Sequence, residues 1–362
     1  MDSSNLRGRI GRNNSKYTMH DVARLADVSV ATVSAVINGT AKVSLKRSQR
    51  VRQAMEVIDY HPDQVARSLK VGKTFVVGMV LPDVTNAFFP QVIRGVEDAA
   101  RTAGYSVILC NSNEDPSEEE RHLNTLLSRR VDGVLLACTN NAMAYDRLLR
   151  RRFPIVFFDR IPDGPHRGAV GTDNVDAGYQ ATKHLIDQGH TDVAFIAGPV
   201  RLSPHARRLE GFRKAMQETN LPVRNEYLCF GDLKIETGYR LGLDLLRLPN
   251  APTAIISSNN KMQLGLLRAM RELGVACPRQ LSIVCFDDHI WSEFFNPPLT
   301  TVAQPSYEIG KLALEMLLQR MGDNAEQDGH ANSELVLLKA SLKVRESTAP
   351  PLRIFQEHST SR

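Results

Sequence analysis

The sequence predicts an α/β protein whose two-lobed core contains two doubly wound parallel sheets and is preceded by an all-α helix-turn-helix domain. Three observations support this fold class. Residues 17–60 contain three short helical patterns and no strand-like run. From Phe75 onward, apolar runs rich in Val and Ile alternate with amphipathic stretches, which is typical of parallel sheets covered on both faces. This alternation occurs as two successive series that meet at Asp173-Asn174, which predicts two similar lobes.

The positive charge is concentrated near the amino terminus. The 362 residues have a formal net charge of +5. Residues 1–73 contain 13 Lys and Arg against 6 Asp and Glu, a net of +7, so the remainder has a net of −2. A small basic module joined to a near-neutral body favours a phosphate-backbone partner for the first part only.

The composition favours a protein of the reducing cytoplasm. No apolar run reaches signal-peptide length at the amino terminus or the ~20 residues of a membrane span later. We therefore expect a cytoplasmic, nucleoid-associated protein without a membrane partner. The five cysteines lack C-x-x-C spacing, which favours free thiols over disulfides or zinc. No metal or cofactor motif occurs, so we expect neither. The cysteines are Cys110, Cys138, Cys229, Cys277 and Cys285.

The first helix of the small domain is capped by Thr18, with Asp21 as its capping-box partner. Ser29 is the natural N-cap of a second helix, which ends at the turn signal Asn38-Gly39. A third helix extends from about Leu45 to Asp59. Two helices joined by a tight turn, with a third that completes the core, predict a helix-turn-helix.

The second helix has one apolar face and one small, neutral face. Val33, Val36 and Ile37 lie together, and the opposite face contains Ala31, Ser34, Ala35 and Asn38. A buried core helix would show the same residues. The basic surroundings instead favour a helix that reads base edges in the major groove, where small polar groups and methyls suffice. The flanking groups predicted to hold phosphates are Arg24, Lys42, Lys46, Arg47, Arg50 and Arg52, with the hydroxyls of Thr18, Ser29, Ser44 and Tyr60.

A short segment, Tyr60 to Thr74, follows the third helix. Pro62 breaks that helix, and Asp63 can cap a new one through Lys70. So short a helix is marginal alone in water and orders only against a partner. Leu69 either anchors the segment on a neighbouring domain, which the residues themselves favour, or enters a minor-groove step and kinks the duplex.

Polar residues follow the predicted strands of the core. Ligands of doubly wound sheets bind beyond the carboxyl ends of the strands. Carboxylates, amides and an arginine at the edges of a cleft suit a small polyhydroxylated molecule. The residues at these strand ends are Asn111, Thr139, Asp159, Arg160, Asp173, Asn259 and Asp287.

Enzymes with doubly wound sheets have motifs that do not occur in this sequence. It contains no G-x-G-x-x-G after the first strand, no G-x-x-x-x-G-K-[ST], no G-x-S-x-G and no H-E-x-x-H. We therefore expect no enzymatic activity. An exported solute-binding protein would share the two lobes but would have a signal peptide in place of the basic helix-turn-helix.

Several motifs together resemble the LacI/GalR family of transcriptional regulators: TMHDVARLADVSVATVSAVINGTAKVS, YHPDQVARSLK, GHTDVAFIAGP, RRLEGF, CFDD and PPLTTVAQP. The resemblance spans about Tyr17 to Arg345. It implies a periplasmic-binding-protein-like core with a small-molecule effector, sugar-like, between the lobes. It also implies a homodimer or a dimer of dimers on a near-palindromic double-stranded DNA operator, with the protein acting as a repressor.

The resemblance also assigns DNA contacts. It places Val30, Ala31, Thr32 and Ala35 at bases, and Ser29, Ser34, Ser44 and Tyr60 at phosphates. It makes Leu69 a minor-groove lever, which reverses the preference for an anchor. The complete predicted DNA-binding set is Thr18, His20, Ser29, Val30, Ala31, Thr32, Ser34, Ala35, Asn38, Ser44, Tyr60, Ala66, Leu69 and Lys70.

The predicted effector contacts include an arginine and a carboxylate, Arg208 and Asp287, that clamp ring hydroxyls across the cleft. A salt-bridged pair that holds the lobes together is the alternative. Near the cleft the sequence departs from the family pattern at Asn260 and Cys285, and Leu233 replaces a frequent aromatic. The resemblance implies effector contacts at Phe88, Asp159, Arg208, Asn259 and Asp287, and the strand-end residue Thr139 completes the predicted set.

The predicted domain organisation has five parts. A basic tail (1–16) precedes the helix-turn-helix domain (17–62) and a hinge (63–73). The core (74–345) has an N-lobe of about 74–173 plus 302–330 and a C-lobe of about 174–301 plus 331–345. A tail (346–362) follows.

Overall fold

The structure is a computed structural model. It describes residues 17–38, 41–60, 72–139, 145, 148–149, 153–162, 168–322 and 334–352. The chain divides into two compact units, Met1–Thr74 and Phe75–Arg362.

The first unit contains three helices, α1 (Met19–Ala26), α2 (Val30–Asn38) and α3 (Leu45–Val57). They enclose a core that includes Val22, Val33 and Val51. The Asp21 carboxylate accepts hydrogen bonds from the Thr18 N–H (3.0 Å) and hydroxyl (2.8 Å) at the start of α1. The predicted helix-turn-helix and this cap are therefore confirmed.

Arg50 ties α3 to the turn that follows α1. Its guanidinium donates to the carbonyl of Asp27 (2.7 Å), to the Asp27 carboxylate (3.0 Å) and to the carbonyl of Ala26. Asp27 has a left-handed conformation with φ 49°. Nη2 makes all three of these bonds, and the side chain is 40% exposed, so the phosphate contact of Arg50 stays a prediction.

Within the described residues, the first lobe of the second unit contains a six-stranded parallel sheet and three α-helices. The strands are β1 (Val76–Leu81), β2 (Ser106–Asn111), β3 (Gly133–Leu136), β4 (Ile155–Phe158), β5 (Gly168–Thr172) and β11 (Glu334–Leu338), and the helices are α4 (Phe89–Ala103), α5 (Pro116–Ser128) and α10 (Ser306–Gly322). The strand order is β11-β5-β4-β3-β1-β2. Helices α4 and α10 pack on one face of the sheet and α5 on the other.

The second lobe, as far as the structure describes it, repeats this arrangement with six strands and four α-helices. The strands are β6 (Val193–Ala197), β7 (Leu228–Phe230), β8 (Ala254–Ser257), β9 (Ser282–Phe286), β10 (Thr300–Ala303) and β12 (Ser341–Lys343), and the helices are α6 (Asn174–Asp187), α7 (Ser203–Glu218), α8 (Ile235–Leu246) and α9 (Asn260–Leu273). The strand order is β12-β10-β9-β8-β6-β7, with β12 antiparallel to β10. Helices α6 and α7 cover one face of the sheet, and α8 and α9 the other.

The chain crosses between the lobes three times, after Thr172, after Ala303 and after Leu338. The prediction placed 331–345 in the C-lobe and began the second N-lobe segment at 302. The structure corrects both, because Glu334–Leu338 pairs with β5 in the first sheet and β10 belongs to the second. An apolar strand pattern does not indicate which of two similar sheets the strand joins.

The predicted tail from residue 346 also needs correction, because its first part is packed on the second lobe. Ser347 is fully buried. Its carbonyl accepts from the Ile283 N–H (2.9 Å), and its hydroxyl accepts from the Thr300 N–H (2.7 Å). The Ser282 hydroxyl donates to the carbonyl of Ala349 at 3.0 Å. These bonds satisfy buried backbone groups that a loose tail would leave unpaired.

Glycines set the spacing of helix pairs in both lobes. A Cβ on Gly178 would lie 2.2 Å from the Arg208 carbonyl oxygen, and one on Gly211 would lie 2.0 Å from the Val175 carbonyl. Helices α6 and α7 therefore approach each other along their backbones. Gly95 and Gly310 make the same approach between α4 and α10, as do Gly238 and Gly265 between α8 and α9.

Candidate functional site

The neutral face of α2 is partly accessible. Ala31 is exposed and Thr32, Ser34, Ala35 and Val30 are half-buried. Among the flanking predicted contacts, Thr18, His20, Ser29 and Ser44 are exposed, together with Arg24, Lys42, Lys46, Arg47 and Arg52.

Two of the predicted DNA-contacting hydroxyls are oriented by the cap of α2. The Ser29 hydroxyl accepts from the Thr32 N–H (3.1 Å) and shares a second hydrogen bond with the Thr32 hydroxyl (2.9 Å). Tyr60 is 9% exposed and packs in the core of this unit, and the phosphate contact of its hydroxyl stays a prediction. Asn38 is the last residue of α2. Ala66, Leu69 and Lys70 lie outside the described residues.

The second unit contains a small cavity between its lobes, with a volume of about 30 Å³. Five of the six predicted effector contacts line it. Thr139 does not, because its N–H donates to the buried Glu119 (2.7 Å). Leu233, the residue in place of a frequent aromatic, is buried in the core of the second lobe. The cavity is lined by Asn86, Phe88, Phe89, Asp159, Arg160, Pro204, His205, Arg208, Asn259, Asp287 and Gln304.

Two carboxylates in this cavity occupy equivalent places in the two lobes. Asp159 directly follows β4 and Asp287 directly follows β9, and each of these is the third strand of its sheet. Both residues have positive φ, 55° and 72°. Aspartate and asparagine tolerate this left-handed region better than most residues. The duplicated fold therefore brings one acceptor from each lobe to the same cavity.

Arg208 extends from α7 into the cavity and is held rigidly. Its Nε donates to Asn174 Oδ1 (2.7 Å) and its Nη1 to the Ser258 carbonyl (2.6 Å), and the guanidinium lies 4.2 Å from the centre of the Phe286 ring. The predicted clamp across the cleft is wrong in one respect, since Arg208 and Asp287 belong to the same lobe. The alternative of a lobe-bridging ion pair fails for the same reason.

Two amides missed by the sequence prediction orient Asp287. Asn260 Nδ2 donates to Asp287 Oδ2 (2.8 Å), and Gln304 Nε2 donates to Oδ1 (2.5 Å). Gln304 Oε1 in turn accepts from the Thr172 hydroxyl (2.8 Å). Gln304 lies within the motif PPLTTVAQP, which was the one available signal. Both oxygens of the Asp287 carboxylate are thus held in place by amide donors of the protein itself.

Burial raises the pKa of Asp159 to about 6, and the nearby Asp287 and Glu114 add to this rise. Arg160 and Arg208 oppose it. Arg160 is itself neutralised by Glu114, to which it donates two hydrogen bonds of 2.6 Å. Asp159 is therefore an acceptor whose ionisation costs free energy at neutral pH.

We expect Asp159→Asn to stabilise the protein in a pH-dependent way. An acid whose folded-state pKa is raised to about 6 destabilises the fold at higher pH, and the cost disappears as pH falls from 6 toward 4. Asparagine avoids this cost and retains the left-handed backbone. The gain in free energy of unfolding should reach about 3 kcal/mol at pH 8 and vanish near pH 4.

Urea unfolding at pH 8 and pH 4 measures this effect. Asp244→Asn, on the exposed face of α8, is the control and should change stability at neither pH. An equal gain for Asp159→Asn at both pH values would show that its charge is not the source of the cost.

A histidine also lines the cavity. Burial lowers the pKa of His205 well below its ordinary value, and the charges of Arg208 and Arg160 lower it further. The imidazole is therefore neutral and has both a donor and an acceptor nitrogen.

Two family models match the chain. The model for bacterial regulatory proteins of the lacI family matches residues 18–63, and the model for a periplasmic binding protein-like domain matches residues 182–348. The transcriptional repressor PurR of Actinobacillus pleuropneumoniae serotype 3 (strain JL03) is 39% identical over 305 residues, which cover 84% of this chain and 91% of that protein. The chain belongs to the lacI family of bacterial regulatory proteins.

Other lacI-family proteins are similar over comparable lengths. The ribose operon repressor of Escherichia coli (strain K12) is 37% identical over 306 residues, which cover 84% of this chain and 93% of that protein. The lac repressor dimer bound to operator and the anti-inducer ONPF has a TM-score of 0.81 with 26% identity, covering 92% of this chain and 100% of that one. A lacI-family regulator from Enterococcus faecium with bound ribose has a TM-score of 0.63 with 30% identity, covering 76% and 99%.

These similarities and the two sheets confirm the predicted fold class of a lacI-family protein. Within the described part of the chain, no helix combines the length and the apolar character needed to span a membrane.

Proposed function

We propose that this lacI-family protein is a sequence-specific transcriptional repressor that acts as a homodimer on a near-palindromic operator in the cytoplasm. In this proposal a small neutral polyol binds between the lobes and changes the affinity for DNA. The main support is the combination of a partly accessible, neutral helix face among exposed cations with a cavity that has one aspartate from each lobe. The motifs of enzymes with doubly wound sheets do not occur in its sequence.

In the proposed DNA binding, one set of residues selects the sequence and another supplies affinity. Ala31 and the half-buried Thr32 and Ser34 lie on the face of α2 that can approach base edges. Contacts of this kind select sequence, whereas charge on the flanks supplies affinity. Exposed Lys46 and Arg47, in the first turn of α3, are suited to phosphates.

We expect operator affinity to fall steeply with salt, because phosphate neutralisation releases counterions. The slope of log K against log salt should be about −0.9 for each neutralised phosphate. Arg47→Gln should make the slope shallower by about one contact. Fluorescence anisotropy on an operator selected from random duplexes measures this. Arg279→Gln, an exposed site in the second unit, should leave the slope unchanged, and a flat plot for the unmodified protein would refute the phosphate contacts.

The charges of the cavity favour an uncharged ligand. Asp159 and Asp287 accept hydrogen bonds, Arg208 donates, and Arg160 is neutralised by Glu114. A phosphate group would face two carboxylates with a single uncompensated guanidinium, whereas sugar hydroxyls can donate to both carboxylates. Ribose appears in the names of two of the similar proteins, so an aldopentose is the first candidate for the effector.

A thermal-shift screen of the full-length protein tests the effector class. D-Ribose should raise the melting temperature, since a ligand at 100 times its Kd stabilises by about 2.7 kcal/mol. Ribose 5-phosphate and nucleosides are the comparison arms. A larger shift with ribose 5-phosphate than with ribose would overturn the argument from charge.

We further propose that residues 63–73 link the effector site to DNA binding, with Leu69 as a minor-groove lever. A segment too short to hold a helix alone can order when two copies meet on DNA. Effector binding would then alter operator affinity through the spacing of the paired segments. Coupling of about 1–3 kcal/mol corresponds to roughly 5- to 150-fold in affinity.

A further inference from the structure

The start of α9 makes direct bonds to the opposite lobe. Lys261 Nζ forms an ion pair with Asp83 and donates to the Thr85 hydroxyl at 2.8 Å. Asn260 Nδ2 donates to Asn86 Oδ1 at 2.7 Å. Residues 83–86 lie between β1 and α4 of the first lobe, whereas α9 covers the second sheet. We name these five residues the interlobe latch.

The latch is built more firmly than a surface ion pair. The Asp83 and Lys261 side chains are only 21% and 26% exposed. The second oxygen of Asp83 accepts from the Thr85 N–H (2.9 Å) and hydroxyl (2.6 Å), which fixes the carboxylate toward Lys261. Although burial alone would raise it, the pKa of Asp83 is lowered by the bonds from Lys261 and Thr85. A partly dehydrated, pre-oriented pair is stronger than an exposed one.

Asn260 connects the latch to the effector cavity. Its amide nitrogen donates both to Asn86 in one lobe and to Asp287 in the other, and both of these residues line the cavity. Position 260 is where the sequence departs from the usual N-D of its family. An aspartate here would place a carboxylate against Asp287 and could not donate to Asn86, so the amide makes this bridge possible.

The volume of the cavity makes the latch important for ligand binding. A cavity of about 30 Å³ has room for one or two water molecules. Small-molecule sites usually need about 300 Å³ or more. Spaces of about 560 and 620 Å³ share Asp287 and Asp159, respectively, with the lining of this cavity, but a sugar ring that also contacts Arg208 and Asn259 needs the 30 Å³ cavity itself to widen. Widening it by moving the lobes apart separates Lys261 from Asp83 and Asn260 from Asn86.

We propose that the interlobe latch opposes effector binding, so that its strength sets both the effector affinity of this protein and the resting separation of its lobes. The proposal depends on the proposed effector site. A latched population lowers the apparent affinity of a ligand that needs the separated form. Weakening the latch should therefore tighten binding, which is the opposite of losing a ligand contact.

A measurement without ligand tests the latch itself. The Ile161 N–H donates across the cleft to the Ser203 hydroxyl at 2.9 Å, so its hydrogen exchange reports separation of the lobes. Lys261→Gln and Asp83→Asn should each raise the Ile161 exchange rate by about 5- to 30-fold. The double variant should add little to either single one, because both break the same bond.

Lys183→Gln is the matched control, since it removes an ion pair with Asp187 within α6 of one lobe and should leave Ile161 exchange unchanged. Unchanged exchange in both latch variants, or fully additive effects in the double variant, would overturn the latch.

Titration calorimetry with D-ribose then tests the link to the effector. Lys261→Gln should lower the Kd for D-ribose by about 5-fold or more, and an unchanged or higher Kd would overturn the opposition between latch and effector. Absence of binding heat for every variant would refute ribose as the effector class, and the exchange result would still decide the latch.

Discussion

Gly178→Ala is expected to destabilise the second lobe and to move Arg208 out of position. The added Cβ would lie 2.2 Å from the Arg208 carbonyl oxygen and 3.0 Å from its Cα. These contacts are with backbone atoms, which have no alternative rotamer that would relieve them, so α6 and α7 must separate. Overpacking of this kind costs about 1–3 kcal/mol or more. Because Arg208 is fixed within about 3 Å of Asn174 and Ser258, effector affinity should fall at least about 10-fold.

Gly95→Ala is the control that separates the loss of stability in Gly178→Ala from the displacement of Arg208. Its Cβ would lie 2.1 Å from the Tyr307 carbonyl oxygen in the first lobe, so a similar loss of stability is expected. Arg208 would not be affected directly. Urea unfolding and calorimetry on both variants measure stability and effector binding. Equal losses of effector affinity would show that general loosening, and not the position of Arg208, is responsible.

Asp287→Asn is expected to weaken effector binding by about 10- to 100-fold while operator binding without effector stays unchanged. Both oxygens of Asp287 now accept from amide donors. In the variant one of these positions becomes an NH₂ group that faces another donor, and the charge that strengthens a hydroxyl contact is lost. Asparagine still tolerates the φ of 72°, so the backbone should not change.

The neighbouring aspartate provides a matched control. Asp288 forms a two-pronged ion pair with Arg345 at 2.8 and 3.1 Å and does not line the 30 Å³ cavity. Asp288→Asn should lower stability and leave effector affinity nearly unchanged. If both variants lose effector binding equally, the loop after β9 acts as a unit and Asp287 has no special role.

Much of the site could be predicted because its residues follow buried strands. Asp159, Asn259 and Asp287 stand directly after apolar runs, and parallel strands bring such residues to one edge. Arg208 could be predicted only from the motif RRLEGF and not from any periodicity. Thr139 meets the same strand-end criterion, yet its backbone N–H bonds to the buried Glu119 and it does not line the cavity. A strand end therefore does not by itself place a residue in the site.

Other features depend on contacts between distant segments. Asn260 and Gln304 orient Asp287 although they lie 27 and 17 residues from it. No local pattern marks an amide for that role. Likewise the pairing of β11 with β5 joins segments more than 160 residues apart, and the sequence of β11 would suit either sheet.

The three chain crossings between the lobes are bonded to one another as well as to the lobes. The Thr172 hydroxyl bonds to Gln304, and the Asp173 N–H bonds to the Leu338 carbonyl at 2.8 Å. Three neighbouring connections that are bonded together favour bending about one common axis over twisting and sliding. A displacement at the rim of the cleft is therefore converted into a rotation of a whole lobe, with an amplitude that grows with distance from that axis.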